Sequence, residues 1–210
     1  MPQIKNNINE IFHIRNETET SADLYFYGDI VSDRWSAWSD EDQYPEAIQQ
    51  LLKGQEGKDL NIYINSGGGD VFAGMAIYNI IKRHTGFKTV YVDGLAASIA
   101  SVIAMAGDKL VMPKNAFLMI HKPWSFVIGN ANDMLKEIEL LNAIEQSIVN
   151  IYAEHLADNV DTETIAKMVD AETWLTGEQA AEYFRVDVAA EKQIAACTNA
   201  RFKNQPQNLV

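Results

Sequence analysis

An α/β fold built around a mostly parallel sheet is what this sequence of 210 residues predicts. Three observations carry that prediction. Short apolar, β-branched or aromatic runs at 23–31, 60–65 and 88–92 read as strands. Between them lie stretches whose apolar residues recur every three or four positions, as on one face of a helix. Strands and helices that alternate in this way form βα units, whose strands run parallel. Finally, two strand-to-helix junctions, Ser66-Gly67-Gly68-Gly69-Asp70 and Gly94-Leu95-Ala96-Ala97-Ser98, are rich in glycine and other small residues, so the backbone there can come close to a ligand.

Hydrophobic residues make up 47% and charged residues 22% of the chain, which suffices for one well-buried domain. The longest apolar runs are broken well short of a membrane span, and the opening Met1-Pro2-Gln3-Ile4-Lys5 has no hydrophobic signal region. The single cysteine, Cys197, excludes an internal disulfide framework and a cysteine-based zinc site. A reducing cytoplasm is the expected compartment. With a net charge of −12, a broad basic footprint is not expected, so neither nucleic acid nor membrane is an expected partner.

In chain order, residues 1–20 are polar and without period, and read as an N-terminal arm. After the first strand, 32–44 holds Trp35 and Trp38 among serines and acids, a loop whose tryptophans are expected to pack on the core or on a neighbouring subunit. Pro45 suits the first turn of a helix running to Leu52, stopped by Gly54. The second strand, 60–65, enters the glycine triplet, and a helix follows with Val71, Met75, Ile77, Tyr78 and Ile81 on its apolar positions. The third strand leads to the Ser98 turn and a helix of small apolar residues. Residues 109–112 and 116–121 are further short strands.

From 131 to 157 the period is that of one long helix, longer than most in globular proteins, which suggests that it projects or meets another copy. Shorter helices follow at 162–169 and 176–184, the second opened by Thr176 and Gln179 as a capping box. A last strand spans 186–189. The main domain is expected over 21–192, with a polar tail over 193–210.

Chemistry concentrates at three places. Ser98 stands between a strand and a helix start, where free N–H groups and the helix dipole favour developing negative charge. It is a candidate nucleophile, although Ala96 and Ala100 flank it where a nucleophile elbow has glycines. The triplet at 67–69 could cradle a phosphate, form an oxyanion hole, or simply make a tight turn. A P-loop lysine is missing, and Asp70 would repel phosphate. Among four histidines, only His121 ends an apolar strand, whereas His13, His84 and His155 read as surface or capping residues. Paired with Ser98, His121 would be the general base. Asp170 and Glu172 lie just before Trp174. Either could orient His121, or both could be acidic caps of the helix that follows.

The order and spacing of Asn-Ser-Gly-Gly-Gly-Asp, Gly-Leu-Ala-Ala-Ser, Met-Ile-His-Lys-Pro and Trp-Leu-Thr-Gly-Glu-Gln-Ala resemble the Clp protease proteolytic subunit (ClpP) family, the S14 serine peptidases, from about Leu24 to Val188. Gly-Gly-Asp-Val-Phe-Ala-Gly and Asp-Ala-Glu-Thr-Trp-Leu-Thr look most like its phage and prophage branch, the head maturation proteases. The resemblance implies a crotonase-like spiral of βα units with a projecting handle helix at about 131–157. It makes Ser98 the nucleophile, His121 the base and Glu172 the acid, with Asp170 as the alternative acid. The N–H groups of Gly69 and Ile99 become the oxyanion donors. Gly67 departs from the proline common at its place. Gly68 and the segment Trp124, Ser125, Phe126, Val127 would bind substrate, residues 124–129 as a strand pairing with extended peptide.

Stacked homo-oligomeric rings, a protein substrate such as phage scaffold or capsid protein, and no metal or organic cofactor are further implications, with an unfoldase as an optional partner. Two other readings of this fold are a crotonase-type acyl-CoA enzyme and a catalytically silent ring subunit.

Overall fold

The computed structural model describes residues 14–15 and 17–189; residues 1–13 of the expected arm with His13, residue 16, and the tail at 193–210 with Cys197 lie outside them. Its strands are β1 (Ile14–Arg15), β2 (Ser21–Phe26), β3 (Asp59–Ser66), β4 (Lys88–Ala97), β5 (Lys109–Pro113), β6 (Phe117–Ile120), β7 (Thr173–Thr176) and β8 (Val186–Ala189). Its α-helices are α1 (Pro45–Leu52), α2 (Val71–Lys82), α3 (Ile99–Ala104), α4 (Ala131–Ala153), α5 (Thr162–Asp170) and α6 (Gly177–Tyr183). The sheet runs β1-β2-β3-β4-β5-β8, and β6 joins β4 and β7 off that path. From β2 to β8 every pairing along the path is parallel, as is that of β4 with β6. Only β1 and β7 run antiparallel to their neighbours. The α/β class and the mostly parallel sheet are therefore as the sequence predicts.

Period-two alternation sets the two faces of this sheet apart. On one face Leu60, Ile62, Ile64, Val90 and Val92 are buried under helices that contribute Ile48, Ile77, Ile81 and Ile103. Each such side chain removed from water contributes roughly 1.5–3 kcal/mol. On the other face the register brings Tyr25, Tyr63 and Tyr91 side by side. Their rings stack at 4.8 Å and 5.1 Å between centroids. Aromatic stacking covers the sheet there.

Several boundaries differ from expectation, each for a tertiary reason. The first strand ends at Phe26 rather than at 31, because Gly28 turns the chain against Glu41, whose carbonyl oxygen would lie 2.3 Å from an added Cβ. Strand β4 continues five residues past Val92 to Ala97. Ladder bonds to β3 and β6 hold Gly94 to Ala97 extended despite their weak strand preference. Residues 14–15 pair with β2 instead of belonging to a loose arm, and 173–176, of which the sequence assigns only Thr176 as a helix cap, form β7. The long helix stops at Ala153, four residues before 157, where Leu156 bridges to Phe184. Residues 124–129 form no ladder with any described strand. Trp35 and Trp38 do not pack on the core; they are 95% and 97% exposed. The capping box at Thr176 and Gln179 forms as the sequence predicts.

Candidate active site

The site exists because β4 forks. Residues 89–91 pair with β5, whereas 95–97 pair with β6. At the end of the second arm the chain leaves the sheet at Ser98, with φ 55° and ψ −130°. A non-glycine residue in this region costs of order 1–3 kcal/mol and persists only where its surroundings hold it. The Ser98 N–H donates to the Met119 carbonyl at 3.0 Å, while its own carbonyl accepts from the Ser101 N–H at 3.0 Å. Gly68 lies against the turn: a Cβ there would sit 2.8 Å from Ser98 Cβ and 2.7 Å from the Ala97 carbonyl oxygen. At Gly69 (φ 145°) it would fall 2.0 Å from the Ile30 carbonyl oxygen. Packing thus requires two of the three glycines, and Asp70 caps α2 by accepting from the Ala73 N–H at 2.8 Å.

Strand register brings the remaining groups to Ser98. Ala97 pairs with Met119, which places His121 just beyond the end of β6. Its Nε2 lies 2.8 Å from Ser98 Oγ. Strand β7 runs antiparallel to β6 with Ile120 opposite Thr173, so the next position along the ladder sets Glu172 across from His121. Glu172 adopts φ 51°, and its Oε2 lies 3.9 Å from His121 Nδ1, with the side chain 61% exposed. The Trp174 indole N–H reaches Glu172 Oε1 at 3.5 Å.

Asp170 faces elsewhere. Its Oδ1 is 2.5 Å from Lys122 Nζ, which also lies 3.6 Å from Glu145 on α4. The hydrogen bond to Asp170 holds the Lys122 ammonium above its ordinary range.

A cleft of about 710 Å³ opens over these groups. Gly68, Gly69, Ser98, Ile99, His121, Trp124 and Ser125 all border it, and Leu141 and Ile144 of α4 form an apolar wall. Phe126 and Val127 do not line it. The backbone bonds between the triplet and Ile30 use the Gly68 carbonyl and the Asp70 N–H, which leaves the Gly69 N–H outside them. Ile99 opens α3, so its N–H has no partner within the helix.

Three contributors were not singled out from the sequence: Lys122, Ser101 and Tyr152. Ser101 hydrogen-bonds the carbonyl three residues before it, a signal available in the Ser98/Ser101 spacing. Tyr152 was legible only as an apolar position of the long helix.

A hydroxyl bonded to an imidazole, with a carboxylate facing the other ring nitrogen, is the constellation of a serine hydrolase. It stands here on a sheet whose Ser98 turn lacks the flanking glycines of the α/β-hydrolases. The chain belongs to the Clp protease family, whose sequence profile matches residues 30–193. It is 34% identical over 145 residues to the ATP-dependent Clp protease proteolytic subunit 1 of Streptomyces avermitilis, a match covering 67% of this chain and 65% of that protein. Proteolytic subunit 2 of Corynebacterium diphtheriae is 34% identical over 145 residues, 68% of this chain and 71% of its own length. The proteolytic subunit of Bacteroides fragilis is 33% identical over 134 residues, 62% of this chain and 63% of its own length.

Proposed function

We propose that this protein is a serine endopeptidase of the Clp proteolytic-subunit type. The observation that carries the reading is the 2.8 Å contact of Ser98 Oγ with His121 Nε2 across two paired strand ends. Ser98 Oγ attacks the peptide carbonyl as His121 Nε2 takes its proton. The tetrahedral oxyanion is held by the N–H groups of Gly69 and Ile99. Collapse breaks the C–N bond, and His121 returns the proton to the departing amine. Water then attacks the acyl ester by the same steps and restores Ser98. Glu172 is the acid that steadies the imidazolium, since Asp170 is engaged by Lys122.

Substrate binds extended along Gly68 and residues 124–127. That Trp124, Ser125, Phe126 and Val127 form no ladder with any described strand supports this reading, because an added strand could pair there. Exposed Met134, Leu135 and Ile138 on the first half of α4 support assembly through the handle into stacked homo-oligomeric rings. In its finer form the proposal is a cytoplasmic phage or prophage head maturation protease that cuts scaffold or capsid protein, with or without an unfoldase. The sequence motifs around Asp70 and Glu172 support that form.

Wild type and Ser98→Ala, each co-expressed with a candidate scaffold protein, provide the test by mass spectrometry, together with labelling by a fluorophosphonate. Cleavage and labelling are expected from wild type and not from Ser98→Ala; equal labelling of both would remove Ser98 from its role. Glu172→Gln is expected to slow turnover by about 10-fold or more and Asp170→Asn by less than about 2-fold. The reverse order would exchange the two acids.

A further inference from the structure

The Ser98 carbonyl and the Ile99 N–H belong to one peptide unit, which is trans as are all described peptide bonds. Because that unit is planar, its C=O and N–H point in opposite directions and turn together. Whatever fixes the carbonyl therefore aims the N–H. Here the carbonyl accepts from the Ser101 N–H at 3.0 Å and from the Ser101 hydroxyl at 2.5 Å. A carbonyl can only accept, so the single hydroxyl proton of Ser101 is committed to it. The 2.7 Å contact between Ser101 Oγ and Tyr152 Oη must then run from the phenol to the serine.

Ser101 is 0% and Tyr152 1% exposed, so water does not compete for either hydroxyl. Burial also pushes the Tyr152 phenol far above its usual range, which keeps its donor proton in place. The Tyr152 ring is itself set by Phe184, edge-on at 5.8 Å.

We propose that Tyr152 and Ser101 are positioning residues, a two-hydroxyl relay from the root of α4 that aims and strengthens the Ile99 N–H as an oxyanion donor. The relay holds the Ser98 turn in its strained conformation. By polarising the carbonyl, it also makes the N–H of the same peptide a stronger donor. The inference rests on the reading of Ser98 as nucleophile and Ile99 as oxyanion donor.

The test compares wild type, Tyr152→Phe, Ser101→Ala and the double variant. Steady-state cleavage is followed on a fluorogenic peptide that wild type cleaves, and inhibition is measured with the boronate of the residue before its scissile bond. Loss of an oxyanion donor outright costs about 100- to 1,000-fold in kcat, so a misaimed donor is expected to cost about 10-fold, with KM unchanged. The boronate, whose tetrahedral adduct uses the same donors, should weaken by the same factor. In the Ser101→Ala background, Tyr152→Phe should have no further effect, because its influence passes through Ser101.

Rates equal to wild type, independent multiplicative losses, or a loss that appears in KM and thermal stability but not in boronate affinity would each overturn the relay. Should Tyr152→Phe fail to fold, Ser101→Ala alone decides through the kcat and boronate readouts. Ser98→Ala serves as control: if it retains turnover, the catalytic reading fails. If it is inactive while the relay variants match wild type, only the relay fails.

Discussion

The two halves of α4 carry the same kinds of side chain and have opposite fates. In the second half Ile144, Ile148, Val149 and Tyr152 are buried against the body of the protein. In the first, Leu135 and Ile138 are 58% and 54% exposed, with Met134 and Leu140 beside them. Local chemistry does not separate the halves, since an Asn130/Asp133 capping box starts the helix securely where it is most exposed. What differs is the neighbour. The second half meets the Ser98 turn and Phe184, while in the first Met134, Leu135 and Ile138 stay exposed among the described residues. A continuous apolar face with only half its length covered points to a second surface, and assembly through the handle would supply one.

The largest expected effect comes from breaking the free half. Leu135→Glu together with Ile138→Glu places two carboxylates where assembly would bury leucine and isoleucine, each unpaired and costly. Assembly is expected to weaken by more than about 100-fold in sedimentation velocity, since interface anchors of this kind carry several kcal/mol. Helix content by circular dichroism should be retained. An unchanged sedimentation coefficient would remove α4 from the interface, and loss of helix would show that the two halves are not independent.

A smaller effect should come from one substitution made in both halves. Ile148→Ala empties a site that is 4% exposed and is expected to cost about 2–5 kcal/mol. That corresponds to a fall in Tm of roughly 5–15 °C for a chain of this size. Ile138→Ala removes the same atoms from an exposed position and should cost under about 0.5 kcal/mol in the dissociated chain. Its Tm deficit should grow with protein concentration as assembly buries the site, whereas that of Ile148→Ala should not. Differential scanning at two concentrations separates the two. Equal deficits in both variants would make the halves energetically alike.

The same division explains which parts of the protein were legible in the sequence. Helix starts at Pro45 and Thr176 could be read because their determinants lie within a few residues. The candidate nucleophile and base could be located because strand ends and small-residue turns are local signals. Features set by register were not legible. Gly94 to Ala97 are strand only because β3 and β6 lie beside them. Residues 173–176 are strand only because they pair with β6. The different surroundings of Asp170 and Glu172 are likewise a matter of register, since the ladder sets Glu172 across from His121 while Lys122 engages Asp170. The hydroxyls of Ser101 and Tyr152 lie 51 positions apart, and no short-range pattern connects them.

His155 gives the smallest and most specific way to sharpen the comparison. It follows directly on the rooted half of α4, and its carbonyl accepts from the Arg185 N–H at 2.9 Å. The ring is half-buried, and its Nε2 has no hydrogen-bond partner among the described residues. Burial first, and then the nearby cations of Lys82 and Arg185, pushes its pKa down to about 4, with Glu154 and Asp108 opposing. An unfolded histidine titrates near 6.5, so as the pH falls the unfolded chain takes up this proton before the folded one does. Stability contributed by neutral His155 is complete above about pH 6.5 and is lost progressively toward pH 4.

His155→Gln cannot charge, so its Tm should fall less steeply than that of wild type between pH 7 and pH 4.5. The curves should be parallel above pH 7. Solvent access to the ring makes the difference a few degrees rather than the full linkage value. Because the group sits at the root of α4, the same flattening should appear in the Leu135→Glu/Ile138→Glu background, where assembly is already lost. If the pH slope disappears with assembly instead, the proton acts between subunits, and the rooted half owes its stability to the ring rather than to its own packing.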